Sequence, residues 1–180
     1  MAKYKQQKKD DTAVTSFTLY LTQYCNESYL EDLKHREKIA PICDMGSFMS
    51  LTCIIDYQYN QLYETKENQE LLKRLKENTE TFQDNLKIIY EGFFSFAFMW
   101  SFGATLSEDR ISFNGQMRSL CKVKIPEGGM CFDYYFSPAT LQYEPWTDKV
   151  KEFAGDFDGL FENLVVPTAE TTRQFYLLDV

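Results

Sequence analysis

Residues 86–106 read LKIIYEGFFSFAFMWSFGATL, and no other stretch of the chain is so apolar or so aromatic. Read backwards, its apolar positions join the series Leu72, Leu75, Thr79, Phe82, Leu86, Ile89, Phe93, Phe96 and Trp100. That 3-4-3-4 spacing is the stripe of one long helix, with Thr79 its one polar member. From Phe93 onward, Phe93, Phe94, Phe96, Phe98, Trp100 and Phe102 point all round the axis. A helix that is apolar on every side must be wrapped by protein on every side, so this is the centre of a bundle. A bilayer span is the competing reading. The uncharged run from Gly92 to Ser107 is shorter than the roughly 20 residues a span needs, and charges close both its ends.

The flanking sequence supplies the wrapping. Hydrophobic residues make up 44% of the 180, enough for a sizeable core in one domain or two small subdomains. Val14, Phe17, Leu21 and Tyr24 mark a first helix from Asp11 to Cys25. Ser28 and Glu31 form a capping box for a short second helix carrying Tyr29, Leu30 and Leu33. Phe48, Leu51, Ile54, Ile55, Tyr59 and Leu62 stripe a third from Ser47 to Tyr63, beyond the break at Pro41. The charged positions from Thr65 to Asn85 form the wet face of the long helix. Gly103 and Ser107 end that helix, and Asn114 is the expected cap of a short helix reaching Leu120.

After Cys121 the period changes. Val123–Ile125, the turn at Pro126–Gly129, Met130–Phe136 and a possible third piece at Leu141–Tyr143 predict a small β meander. Val150–Phe153 reads as a helical turn, and Gly155 and Gly159 as loop. Leu164–Val166 is extended, Pro167 stops it, and Thr168 caps a helix from Ala169 to Val180. The expected class is therefore mainly α (α+β), a helical bundle around one long aromatic helix. A polar tail fills 1–11, the bundle 12–120, and the meander with its C-terminal extended segment and helix 121–180.

Residue chemistry alone gives no catalytic constellation. The net charge of −8 excludes a nucleic-acid groove, which needs clustered Lys and Arg. Five cysteines, an odd number with no CxxC spacing, suggest reduced and mostly buried thiols rather than a disulfide framework or a zinc knuckle. The single histidine, His35, lies among charges and reads as exposed, so no triad or multi-His metal site can be built from one copy. Neither GxxxxGK[ST] nor GxGxxG occurs. The acid pairs Glu108–Asp109, Asp156–Asp158 and Glu31–Asp32 read as solvated loop or cap residues, and the Asp156 loop lacks the register of an EF-hand. Trp100 and Trp146 read as packing aromatics. The first residues lack an apolar signal core, which points to the cytoplasm.

Four landmarks nevertheless resemble one family in family order. FFSFAFMWSFGATLSEDRISF (93–113) is similar to the F-F-F-A-x-x-W-S-x-G-A helix of dynein heavy chains. GGMCFDYYF (128–136) resembles the family's glycine-then-VFDY strand, and Trp146 in EPWTDKV its Trp before a turn. LVVPTAETTRQFYLLDV (164–180) resembles the ILVPTxDTxRxxxLL entry to a following AAA+ module, with Glu170 in place of the usual Asp. IAPICDMGSFMSLTCIIDYQY (39–59) is similar less specifically. The resemblance implies the small helical subdomain of the second AAA+ module running into the third, axonemal rather than cytoplasmic in its WSFGATL form.

What it further implies is a non-catalytic segment of a microtubule motor, with Trp100, Gly103, Phe132, Asp133, Tyr134, Trp146 and Arg173 as structural landmarks. Val166, Pro167 and Thr168 are expected beside the adenine of the following module's nucleotide. ATP or ADP with Mg belongs to the parent motor, and no cofactor or metal to this chain alone. The implied partners are the remaining AAA+ modules or other axonemal proteins, with microtubules met only through the parent, and the implied place is the cytoskeleton or cilium axoneme. A free-standing dynein-like structural protein of a ciliary assembly is the alternative. As an excised piece the chain is expected to expose apolar surface and self-associate.

Overall fold

In the computed structural model, which describes residues 11–40, 42–152 and 165–180, six α-helices and one β-hairpin surround a seventh, central aromatic helix. The helices are α1 (Asp11–Tyr24), α2 (Glu27–His35), α3 (Asp44–Glu64), α4 (Lys66–Glu77), α5 (Thr79–Phe98), α6 (Arg110–Leu120) and α7 (Ala169–Leu178). The hairpin strands are β1 (Tyr134–Ser137) and β2 (Gln142–Pro145). Every residue from Ile89 to Met99 in and just beyond α5 is buried. Each fully buried Phe or Leu is worth roughly 1.5–3 kcal/mol, so tertiary packing rather than propensity holds this Phe-rich segment helical.

Three walls cover α5. From α1, Tyr24 packs on Phe94 and Phe98 with ring centroids 5.3 and 5.5 Å apart, and Phe17 on Tyr90 at 5.3 Å. From α3, Leu51, Ile54 and Leu62 are buried, and the hydroxyls of Tyr63 and Tyr90 meet at 2.7 Å. From the hairpin side, Phe136 packs edge-on against Phe93 at 5.9 Å and Trp146 against Phe96 at 6.2 Å. The loop after α2 pairs with the loop after α5, Ile39 N–H donating to Thr105 O (2.7 Å) and Ser107 N–H to Glu37 O (3.1 Å).

Several local expectations are corrected. The long helix divides at Asn78, whose φ of −101° and ψ of 85° leave the helical region between α4 and α5. Asn78 and Thr79 are the residues that compete for backbone hydrogen bonds, and Thr79 was the polar gap in the stripe. At its other end α5 widens into a π-helical turn, Met99–Gly103. On α1 the buried line is Ala13, Ser16, Tyr20 and Tyr24, while Val14 and Leu21 are exposed. The tyrosines win because they reach α5.

Asn26, not Ser28, caps α2, accepting from Tyr29 N–H at 2.9 Å. Asn114 lies inside α6, where its carbonyl oxygen accepts from Cys131 N–H at 2.8 Å instead of capping. Among the described residues the sheet has two antiparallel strands with Phe136 opposite Tyr143, and Val123–Ile125 is not in a strand. All four β1 residues are buried, because Phe136 packs on α5 while Tyr135 meets Trp146 at 5.2 Å, so no period of two shows. The helical turn falls at Trp146–Lys149, ahead of the expected place. Phe153, Gly155, Gly159, Leu164 and the Asp156–Asp158 pair lie outside the described residues.

Candidate functional site

Landmarks far apart in sequence meet at one joint. The π-helical turn places Trp100 half-buried at the end of α5, where its ring meets Phe132 at 5.2 Å, near edge-on. Arg173 of α7 sets its guanidinium 5.6 Å from the Trp100 ring centre and donates to Phe132 O at 3.2 Å. Its nitrogen also stands 3.7 Å from Asp133, within ion-pair range. Phe132 stacks on Phe113 at 6.1 Å, and Phe113 lies against the bare face of Gly103. Arg110 donates to Leu106 O and Ala104 O, both at 2.7 Å, tying off the carbonyls freed where α5 ends. Trp100, Gly103, Phe132, Asp133 and Arg173 are thus one contiguous structure. Tyr134 stands next to it, donating to Gly128 O at 2.8 Å in the turn before β1.

Trp146 makes a second contact. It is fully buried between Tyr135, Phe96 and Tyr176 of α7, the last at 5.4 Å. Lys149 places its ammonium 3.9 Å from the Tyr135 ring centre and 5.5 Å from that of Tyr176, and burial pushes its pKa down. For Glu144, burial raises the carboxyl, but hydrogen bonds from Tyr135, Thr140 and Ser137 outweigh it and hold the pKa below its ordinary value.

Beside these residues runs a groove of about 600 Å³, lined by Trp146, Lys149, Val165, Pro167, Phe175 and Tyr176 among others. Val166 is 51% exposed and does not line it. Thr168 is the N-cap of α7, its hydroxyl accepting from Thr171 N–H at 3.2 Å, and Thr171 Oγ1 donates to Val166 O at 3.0 Å. The three residues form a braced turn at the surface.

One polar feature went unread in the sequence. On the buried side of α5, Ser95 Oγ donates to Glu91 O at 2.7 Å and meets Tyr143 Oη at 2.7 Å. Glu91, 5% exposed, accepts from Lys122 N–H at 2.8 Å, fixing the chain after α6 onto α5. Burial raises its carboxyl pKa, partly offset by that hydrogen bond. Its place at the apolar end of the stripe was the available signal. Of the thiols, Cys131 is buried, Cys25 and Cys121 are partly so, and Cys43 and Cys53 are exposed, fewer covered than expected. His35 is exposed as read. Among the described residues no three His, Cys, Asp or Glu cluster to hold a metal, and no helix is long and apolar enough to cross a membrane.

The profile of the dynein heavy chain AAA lid domain matches residues 17–148. The chain belongs to that family. Dynein axonemal heavy chain 11 of Sus scrofa is 36% identical over 106 residues, covering 54% of this chain and 2% of that protein. Dynein axonemal heavy chain 17 of Mus musculus is 38% identical over 103 residues, 54% of this chain and 2% of its own. The flagellar outer-arm dynein beta chain of Chlamydomonas reinhardtii is 39% identical over 95 residues, 48% of this chain and 2% of its own. The dynein lid described here thus spans about 2% of the length of these relatives. The lid match ends at residue 148, just past Trp146, so Arg173 and the Val166–Thr168 turn lie outside it.

Proposed function

We propose that this lid is the small helical subdomain of the second AAA+ module of an axonemal dynein heavy chain, joined through α7 to the start of the third. In this reading it is a non-catalytic part of an ATP-driven microtubule motor in the cilium axoneme. It moves as a packed body and passes nucleotide-dependent rotations between neighbouring modules. The observation that carries the reading is the joint at Arg173, where a residue beyond the lid match grips Trp100 and Phe132 inside it. While α7 is docked, such a grip lets the lid and the following segment turn together.

The Val166–Thr168 turn fits one wall of an adenine pocket and no more. It offers the half-exposed Val166, while the Thr168 hydroxyl is engaged in its cap. The chain has no phosphate loop. ATP with Mg would therefore be held by the parent's other residues, this chain supplying apolar contact to the base.

ATP turnover by the purified chain tests the non-catalytic clause. Turnover above background would overturn it. For the coupling clause, Arg173→Ala in a heavy chain carrying this segment is expected to lower microtubule-stimulated ATPase with microtubule affinity retained. Unchanged stimulation would remove the coupling role.

A further inference from the structure

Helix α7 is seated at the surface of the bundle. None of its residues is fully buried, in contrast to the continuous burial of α5. On its outer side Leu178 is 80% exposed, and Phe175, at the groove, is 52% exposed. Two anchors remain. Tyr176 sits edge-on against Phe96 at 5.8 Å and Tyr57 at 5.6 Å and beside Trp146, and Arg173 lies over Trp100.

Both indoles beneath these anchors, Trp100 and Trp146, hold a buried N–H with no acceptor among the described residues. An unsatisfied buried donor costs about 1–3 kcal/mol, a penalty that contact with water removes. The docked state of α7 thus gains three ring contacts from Tyr176 and, from Arg173, one cation–ring contact, one charged hydrogen bond and one ion pair, set against two unpaired donors.

We infer that α7 is a strap that leaves the lid as a unit, opening and closing while the bundle around α5 stays folded. Local opening of this kind is drawn from segments with few buried contacts. Opening uncovers Trp100, Phe96 and Trp146 and frees the Val166–Thr168 turn from its fixed place. The consequence for a nucleotide site rests on the function proposed above. The strap itself does not, and the measurement below addresses it alone.

Native-state amide hydrogen exchange on the full 180-residue chain decides the matter. After correction for intrinsic rates, α7 amides are expected to exchange about 100-fold or more faster than those of α5 from Ile89 to Phe98. Arg173→Ala is expected to raise the α7 rate about tenfold and shift tryptophan emission to the red, leaving α5 exchange unchanged. Tyr176→Ala provides the second variant, with the same pattern expected. Equal protection of α7 and α5 in the wild-type chain would overturn the proposal. So would variants that speed both segments alike, or variants that leave α7 exchange unchanged.

Discussion

Gly103→Ala sets two opposed effects against each other, and the structure says which wins. Gly103 ends the π-helical turn, and the next residue, Ala104, continues in right-handed helical geometry. On propensity alone, alanine in a helix would gain roughly 0.5–1 kcal/mol over glycine. A Cβ at this position lands on the Phe113 ring, 2.6 Å from Cζ and 2.8 Å from Cδ1. That ring has no room to retreat, being fully buried and stacked on Phe132. Overpacking of this kind costs about 1–3 kcal/mol, leaving a net loss of about 1–2 kcal/mol.

At about 2–4 °C per kcal/mol for a chain of this size, Tm should fall by roughly 2–8 °C in calorimetry. Gly115→Ala is the control, since nothing lies within 4 Å of a Cβ there, and it should raise Tm by a few degrees. Phe113→Leu, placed in the Gly103→Ala background, should cost less than in the wild-type chain, with a coupling of about 1 kcal/mol. If Gly103→Ala stabilises as Gly115→Ala does, or the pair shows no coupling, the packing of α6 against α5 is not as described. Gly92, pressed on the ring of Phe136, should respond in the same direction.

Ser95→Ala strips a buried partner from the Tyr143 hydroxyl and should cost about 1–2 kcal/mol in urea unfolding, with Ser95→Ala/Tyr143→Phe costing less than the sum. Folded Glu91 keeps its proton to higher pH than unfolded Glu91, so between the ordinary carboxylate pKa and its raised value the folded state binds more protons. Stability should fall as pH rises through that window, and Glu91→Gln, which retains an acceptor for Lys122 N–H, should flatten the slope of Tm against pH. An unchanged slope would remove Glu91 as its source. For the thiols, Cys43 and Cys53 should react quickly with a disulfide reagent. Cys25, Cys121 and Cys131, whose pKa values burial pushes up to about 11, 12 and 12, should wait for denaturant. Rapid titration of more than two thiols in the native chain would contradict this.

The aromatic series around Phe93 to Phe102 made the central helix legible because burial on every side writes itself as hydrophobicity on every side. Thr168 was legible as a cap for an equally local reason, a hydroxyl reaching an amide three residues on. The Asn78 break was half-visible in the polar Thr79. On α1, spacing found the buried Tyr24 but chose Val14 and Leu21 where packing chose Tyr20, since the longer tyrosine side chains reach the rings of Phe94 and Phe98. Asn114 misled because an asparagine that caps and one that braces a distant amide are the same residue in a string. Strand β1 hid its alternation because both of its faces are covered.

By itself, then, the sequence determined a helical bundle, its aromatic axis, the order of its landmarks and the family they resemble. All of these depend on local spacing or residue identity. Only the tertiary structure decided that Trp100, Phe132 and Arg173 form one joint, that Glu91 and Ser95 build a polar seam inside an apolar core, and that α7 rests on the surface by two anchors. Those facts depend on contacts between residues 30 to 80 positions apart, and such contacts are set by how the helices pack rather than by any neighbour in the chain.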